Sequence, residues 1–543
     1  MKILITGGFG FLGQRLCKRI LEIGELVGVN DETCAVSRVV LFDCSQPPPD
    51  LPTDSRVTFT KGDITDAGQC KNLVDEDNML VFHLASVMSG QGEADFDLCW
   101  KVNLEGTRNL MEACRARKGS RFIFASSGAC YGERAPGPEL DSMKLLPQTS
   151  YGMTKACCEL MINDYARRGF LDGRVARLPT VIPRPDINSG LPAAFSAVIR
   201  ESLFGRDATL VVRPDLRHAV CGFRVLVRNL LHLAQLPEAA LAGSSDRCMN
   251  MPSLSVTLLD LHQAVKKVVR DPAKLGRITF EPDEALSAKL STFHNDMDAT
   301  RARSLGLVGD SSAEAIAADF VAEYVDESLL KPVVELEEEP RHWLTLSNPY
   351  LRVFRVENPP GDQTLMHRHR GNSLYFFFEN TRTQGQKLSE AFLDDAVSCG
   401  EIRYGDHASC NLVHRIRTKG PRVMCCLDVE FTASDCKPEG GSEGPDAKRA
   451  RTEPPAIAGL SLIKERPTAR VYSLEVPAGG SWQGALPFER MLWIVHRGAR
   501  VSGGLGDSFL QPADVFFREG PQQLSLEVLG GQRSLALWLV ELL

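Results

Sequence analysis

Tyr151 and Lys155 stand four residues apart in TSYGMTKACCELM, so a helix there carries both on one face. An ammonium beside a phenol favours the phenolate. That equips Tyr151 to exchange a proton with a substrate hydroxyl near neutral pH. Upstream, Ser126-Ser127 ends the apolar run RFIFASS. A serine hydroxyl at that strand end can hold the same substrate oxygen, on the edge where open α/β sheets bind ligands. The run Thr6-Gly7-Gly8-Phe9-Gly10-Phe11-Leu12-Gly13 follows an apolar strand and opens a helical pattern. Two spacings fit, Gly8/Gly10/Gly13 and Gly7/Gly10/Gly13. Either lets the backbone turn tightly and approach a pyrophosphate at a helix N-terminus.

A dinucleotide needs an acidic residue for its ribose. Raw spacing favours Asp31, whereas strand logic favours Asp43, which closes Arg38-Val39-Val40-Leu41-Phe42. We take Asp43, because the ribose ligand belongs at a strand's C-terminal edge; its charge would repel a 2′-phosphate, so NAD is expected rather than NADP. Asp63-Ile64 after the third strand could contact adenine, and a turn or helix cap is the plain alternative for Asp63. In the C-terminal half His367 and His369, two residues apart, share one face of a strand, which suits a divalent metal.

The elements that must position these residues read clearly for about 330 residues. Strands are expected at Lys2–Thr6, Arg38–Asp43, Val57–Lys61, Leu80–Leu84, Arg121–Ala125 and Gly173–Leu178. Helical patterns lie between them, at Phe11–Leu21, Leu98–Arg117 and Tyr151–Arg168 among others. This alternation means βαβ units and a parallel sheet. An acidic, Pro-flanked stretch, Lys331–Pro340, then leads into short β-rich runs over 341–433. Residues 434–462 are rich in Pro, Gly, Glu and Ser and read as a flexible linker. Within it Lys448-Arg449-Ala450-Arg451 is a nuclear-import pattern or, more plainly, a solvated charge run. Residues 463–543 are β-rich again with a similar rhythm, as in a duplicated barrel.

The chain has 543 residues, too many for one core. Its 43% hydrophobic and 24% charged residues are ordinary globular composition and exclude a fibrous or largely disordered chain. A net charge of −7 gives no basic field for nucleic acid. The 16 cysteines form no CxxC pair and are expected as reduced thiols of a cytoplasmic protein. No signal-peptide pattern and no apolar run of about 18 residues is visible, so neither secretion nor a membrane span is expected.

In this order, glycine turn, serine and YxxxK resemble the extended short-chain dehydrogenase/reductases, the NAD-dependent epimerase/dehydratase group. TGGFGFLG, HLAS at 83–86, WKVNLEGT at 100–107, FASSGACYG at 124–132 and YGMTK at 151–155 carry the resemblance. It implies a Rossmann-type doubly wound parallel sheet with a small substrate subdomain over 1–330, and catalysis by Ser127, Tyr151 and Lys155. It implies NAD contacts at Gly7, Gly10, Phe11, Leu12, Gly13, Asp43, Asp63, Ile64, Leu84, Ala85, Asn103, Tyr151, Lys155 and Pro179. Asn103 matches the family asparagine that supports the lysine's surroundings. Family dehydratases carry an acid pair where this chain has Gly128 and Ala129, so dehydration is disfavoured.

VMSGQGEADFDLCWKVNLEGT and DGRVARLPTVIPRP are similar to segments of the group's D-erythronate dehydrogenases. Oxidation of a secondary hydroxyl of a small sugar acid is therefore expected. For the acid we name Ser89 and Ser127, with Arg217 and Arg224 as candidate cations whose plain alternative is a surface salt bridge. The family also implies a homodimer. Gly361-xxxxx-His367-Arg-His369, with His414 nine residues past Gly405, resembles the cupin metal motif. The cupin glutamate's place holds Ser373 or Leu374. Two all-β cupin-like barrels are thus expected, the first with a possible divalent metal. Rival readings are a nucleotide-sugar epimerase on the same scaffold and a non-catalytic NAD-binding regulator.

Overall fold

The computed structural model describes all residues except 49–50, 52, 133–136, 188–191, 242–243, 294, 421, 433–455, 506–507 and 530–533. The Lys448–Arg451 patch and most of the expected linker lie outside the described residues. The chain divides into two compact units, one of Met1–Trp343 with Gln363–His367, the other of Leu344–Asp362 with Arg368–Leu543.

In the first unit, among the described residues, seven strands form one parallel sheet. They are β1 (Lys2–Thr6), β2 (Arg38–Asp43), β3 (Val57–Lys61), β4 (Leu80–His83), β5 (Arg121–Ser127), β6 (Asp172–Leu178) and β7 (Cys248–Asn250). Their order is β7-β6-β5-β4-β1-β2-β3. All pair in parallel, with β1 between β2 and β4, so the strand order reverses there and opens a crevice at the strands' C-terminal edge. The central strands are apolar on both faces, as a sheet covered on both sides requires: Lys2–Thr6 and Leu80–His83 are buried throughout. Helix α1 (Phe11–Ile23) leaves the crevice, ending on Gly24 at φ +75°. Helix α2 (Thr107–Arg115) continues a π-helical turn, Trp100–Gly106, where the sequence reads one uninterrupted helix. Helix α3 (Ser150–Arg167) is capped by the Thr149 hydroxyl.

The first unit extends to Trp343, past the boundary at 330. Leu330, Val334 and Trp343 are all buried in its apolar cores. The acidic stretch is itself partly buried. The fully buried Glu339 carboxylate accepts from the Arg341 backbone at 2.7 Å and from the His342 ring at 2.7 Å.

The second unit holds two antiparallel, barrel-like β assemblies. In the first, β8 (Leu351–Asn358), β9 (Ser373–Phe377), β10 (Ile402–Gly405) and β11 (Met424–Phe431) lie in the order β8-β11-β9-β10. The second is built on β12 (Ala469–Val476), β13 (Arg490–Arg497), β14 (Val515–Glu519) and β15 (Leu535–Leu542), in the order β12-β15-β13-β14. Alternate residues of these sheets meet in one apolar core: Val353, Phe376 and Val429 with Val471, Leu492 and Trp538. A further strand, Leu460–Arg466, pairs with β12, so this assembly begins before residue 463.

Candidate active site

The crevice at the β1/β4 switch is a cleft of about 940 Å³. Its floor is the glycine turn. Gly7 has φ +69°, and a Cβ there would lie 2.8 Å from the Ala85 nitrogen. A Cβ on Gly13 would lie 2.4 Å from the Gly7 carbonyl oxygen. Gly7, Gly10 and Gly13 line the cleft, while Gly8 packs against Leu41 under β2. The bare backbone of the Gly7/Gly10/Gly13 spacing thus makes a cradle that side chains would fill, at the N-terminus of α1.

Asp43 ends β2 inside the cleft and its carboxylate accepts from Phe9 N at 3.2 Å and Ser45 N at 3.0 Å. Asp31, the spacing-based alternative, lies instead 3.6 Å from Arg121. Phe11, Leu12, Ile64, Leu84, Ala85 and Pro179 also line the cleft. Asp63 lines it too, and its carboxylate caps a turn by accepting from Thr65 N at 2.9 Å. A dinucleotide fits this donor set: amide hydrogens and a helix N-terminus for phosphates, a carboxylate for the ribose.

Ser127, Tyr151 and Lys155 meet at the same cleft. The end of β5 supplies the serine and the first turns of α3 supply the other two. Ser127 lies close enough to the Tyr151 hydroxyl to favour its ionised form. Burial pushes the Tyr151 phenol up to about 12, against the opposing pull of Ser127 and of the Arg184 cation. Burial brings the Lys155 ammonium down to about 8, and its Nζ donates to Ala125 O at 2.7 Å. Ser126 turns away, its hydroxyl 2.5 Å from the buried Glu159 carboxylate. Glu159 in turn pairs with Arg177 at 2.7 Å, which fixes the β5 end from behind.

The family model "NAD dependent epimerase/dehydratase family" matches residues 3–215. D-erythronate dehydrogenase of Cupriavidus necator is 38% identical over 318 residues, 58% of this chain and 96% of that protein. The chain belongs to this family. The Haemophilus influenzae D-erythronate dehydrogenase is 37% identical over 324 residues, 59% of this chain and 99% of that one. The solved nucleoside-diphosphate-sugar epimerase of Agrobacterium tumefaciens matches at 34% identity and TM-score 0.56, covering 61% of this chain and 96% of that one.

Three expected site residues, Asn103 from the family resemblance and Arg217 and Arg224 as candidate cations for the acid, lie outside the cleft lining. Asn103 does not line the cleft. It sits behind it, 2% exposed, and pins the loop after β4 by accepting from Val87 N at 2.7 Å and donating to Val87 O at 3.0 Å. Arg217 donates to Ser255 O at 2.9 Å, outside the cleft. Arg224 is also outside, paired with Asp319 at 2.6 Å. Ser89 does line the cleft, at the start of the short helix Ser89–Ala94. A cation the sequence reading missed, Arg184, lines it too. It lies past β6 on a stretch without helical or strand periodicity; the one available signal was its place six residues after Leu178.

In the β-rich unit the His369 and His414 Nε2 atoms lie 3.0 Å apart, and His369 Nδ1 is 3.4 Å from the buried Asp428 carboxylate. His367 groups with the first unit, where its Nδ1 lies 2.8 Å from Leu365 O. The cupin glutamate has no counterpart: Leu374 faces the apolar core between the two barrel-like assemblies and Ser373 is no carboxylate.

Proposed function

We propose that the first unit is an NAD-dependent dehydrogenase that oxidises a secondary hydroxyl of a small sugar acid of the D-erythronate kind. One observation carries the reading: a single cleft brings the glycine cradle and Asp43 to Ser127, Tyr151 and Lys155. The names of the two bacterial relatives supply the substrate class.

NAD, when bound, supplies the hydride acceptor. Gly7, Gly10 and Gly13 would hold its pyrophosphate and Asp43 its ribose. Ser127 Oγ orients the substrate hydroxyl. Tyr151 Oη, once deprotonated, takes the proton of that hydroxyl. Lys155, held by Ala125 O, supplies positive charge near the phenolate and a donor for the cofactor's second ribose.

The test is NADH absorbance with purified protein, NAD and four- to six-carbon sugar acids, repeated with NADP. Turnover of an acid with NAD is expected. Tyr151→Phe should lose at least about 100-fold of it while still binding NADH. Epimer interconversion of a nucleotide sugar without net NADH, or binding of NAD with no acid turned over, overturns the reading.

We also propose that the first barrel-like assembly binds a divalent metal, with His369 and His414 as ligands. The spacing of the two Nε2 atoms suits a shared cation, and the Tyr375 hydroxyl at 3.3 Å and the Asp428 carboxylate at 3.4 Å face His369 Nδ1. Elemental analysis of the dialysed protein should find about one metal per chain, and less than a fifth of it in His369→Ala. Metal-free protein of full thermal stability overturns the assignment.

A further inference from the structure

The charged side chains lining the cleft, among the described residues, are Asp43, Asp63, Lys155 and Arg184. The first two stand beside the glycine turn and the cap after β3, and Lys155 is tied to Ala125 O. Arg184 has no such commitment. Its backbone N–H donates to Ser196 Oγ at 3.3 Å and its carbonyl accepts from Arg200 at 3.3 Å, so the main chain is held from two sides. Its guanidinium lies over the Phe11 ring, 5.5 Å from the centroid, and among the described residues makes no ion pair. Asp186 contributes only a longer-range attraction.

A part-buried guanidinium without a carboxylate has lost hydration and gained little in return. Burial accordingly lowers its pKa. Its planar fork matches a carboxylate with two parallel hydrogen bonds, and its contact with Phe11 limits the rotamers it must give up on binding. It also lies close enough to Tyr151 to pull on the phenol's ionisation. Ser196, whose Oγ accepts from Arg184 N, and Thr180, whose Oγ1 is 2.6 Å from His218 Nε2, also line the cleft.

We infer that Arg184 anchors the substrate carboxylate and makes the cleft select acids over neutral polyols of the same length. This rests on the dehydrogenase reading and deepens it, giving Arg184 the role for which Arg217 and Arg224 were candidates.

The experiment compares parent, R184Q and R184K holoenzyme on D-erythronate and on the neutral four-carbon polyol erythritol. It also measures D-erythronate binding to the NADH complex by calorimetry. R184Q should lower the acid-to-polyol ratio of kcat/KM by at least about 30-fold, chiefly through KM for the acid. R184K, a point charge without the fork, should fall between. NADH affinity within twofold of the parent shows that the variants are folded. A ratio within about threefold of the parent overturns the inference, as does equal loss on both substrates. Calorimetry separates the two claims. Acid binding by the parent that R184Q loses supports the anchor even where turnover fails, whereas no acid binding by the parent overturns it.

Discussion

At the scale of the residue, Tyr151 must shed its own proton before it can take one from the substrate. Burial holds the phenol up to about 12 in the free protein, so near neutral pH the phenol form dominates. The rate of alcohol oxidation should therefore rise with pH from 6 through 9. A flat profile over that range in stopped-flow NADH formation would remove Tyr151 as the base. Gly13 offers a second test. Gly13→Ala puts a methyl 2.4 Å from the Gly7 carbonyl oxygen, and backbone cannot give way there as a side chain can. NAD affinity should fall at least about tenfold with the far-ultraviolet dichroism unchanged. Ser127, Tyr151 and the glycines were legible because each sits at a fixed offset from a strand or helix end. For Arg224 the salt-bridge alternative held, and a local segment could not decide it because the partner, Asp319, lies 95 residues on. Arg184 was missed for the converse reason, since an irregular segment gives no periodicity from which to aim a side chain.

At the scale of the element, β4 is fastened to β1 and α2 through His83. Its Nδ1 lies 2.6 Å from Thr6 Oγ1 and its Nε2 2.8 Å from Thr107 Oγ1. The ring is fully buried, and desolvation drives its pKa from 6.5 down to about 3. The unfolded chain therefore binds a proton that the folded chain refuses. The stability contribution is fully present above about pH 6.5 and is lost as pH falls toward 3, on the order of 5 kcal/mol in all. His83→Gln should lower stability at pH 7 yet flatten the acid branch, so urea midpoints of parent and variant should converge between pH 6.5 and 4. Parallel pH curves would show that His83 does not titrate with folding. The strands were legible from their apolar runs, β4 and β5 to within one or two residues at each end. The π-helical turn at Trp100–Gly106 was not, because its side chains keep a helical apolar pattern while the backbone adds a residue to the turn. The burial of the acidic stretch Lys331–Pro340 was not legible, because buried and solvated carboxylates look alike in sequence; Glu339 has Arg341 and His342 to hold it.

At the scale of the whole molecule, the two β assemblies share one pattern and differ in another. On β13, Leu492 and Ile494 face the core between the two barrel-like assemblies, while Met491, Trp493 and Val495 fill the second assembly with apolar volume. On β11, Leu427 and Val429 face that same shared core, whereas Asp428 and Glu430 occupy the alternate positions. Strand alternation makes this difference readable once register is known, and register is what sequence rhythm alone leaves open. The shared core also says how the chain should melt. The first unit has its own apolar clusters, and the two β assemblies are joined by theirs. Calorimetry should resolve two transitions. A ligand that binds only the native first unit stabilises that unit by mass action, so NAD should raise one transition and leave the other unmoved. Leu492→Ala, at a fully buried site in the shared core, should cost about 2–5 kcal/mol and lower only the NAD-insensitive transition. Because that core belongs to both assemblies, they should unfold together in one step rather than splitting into two. A single transition for the whole chain, or an equal rise of both with NAD, would contradict this division.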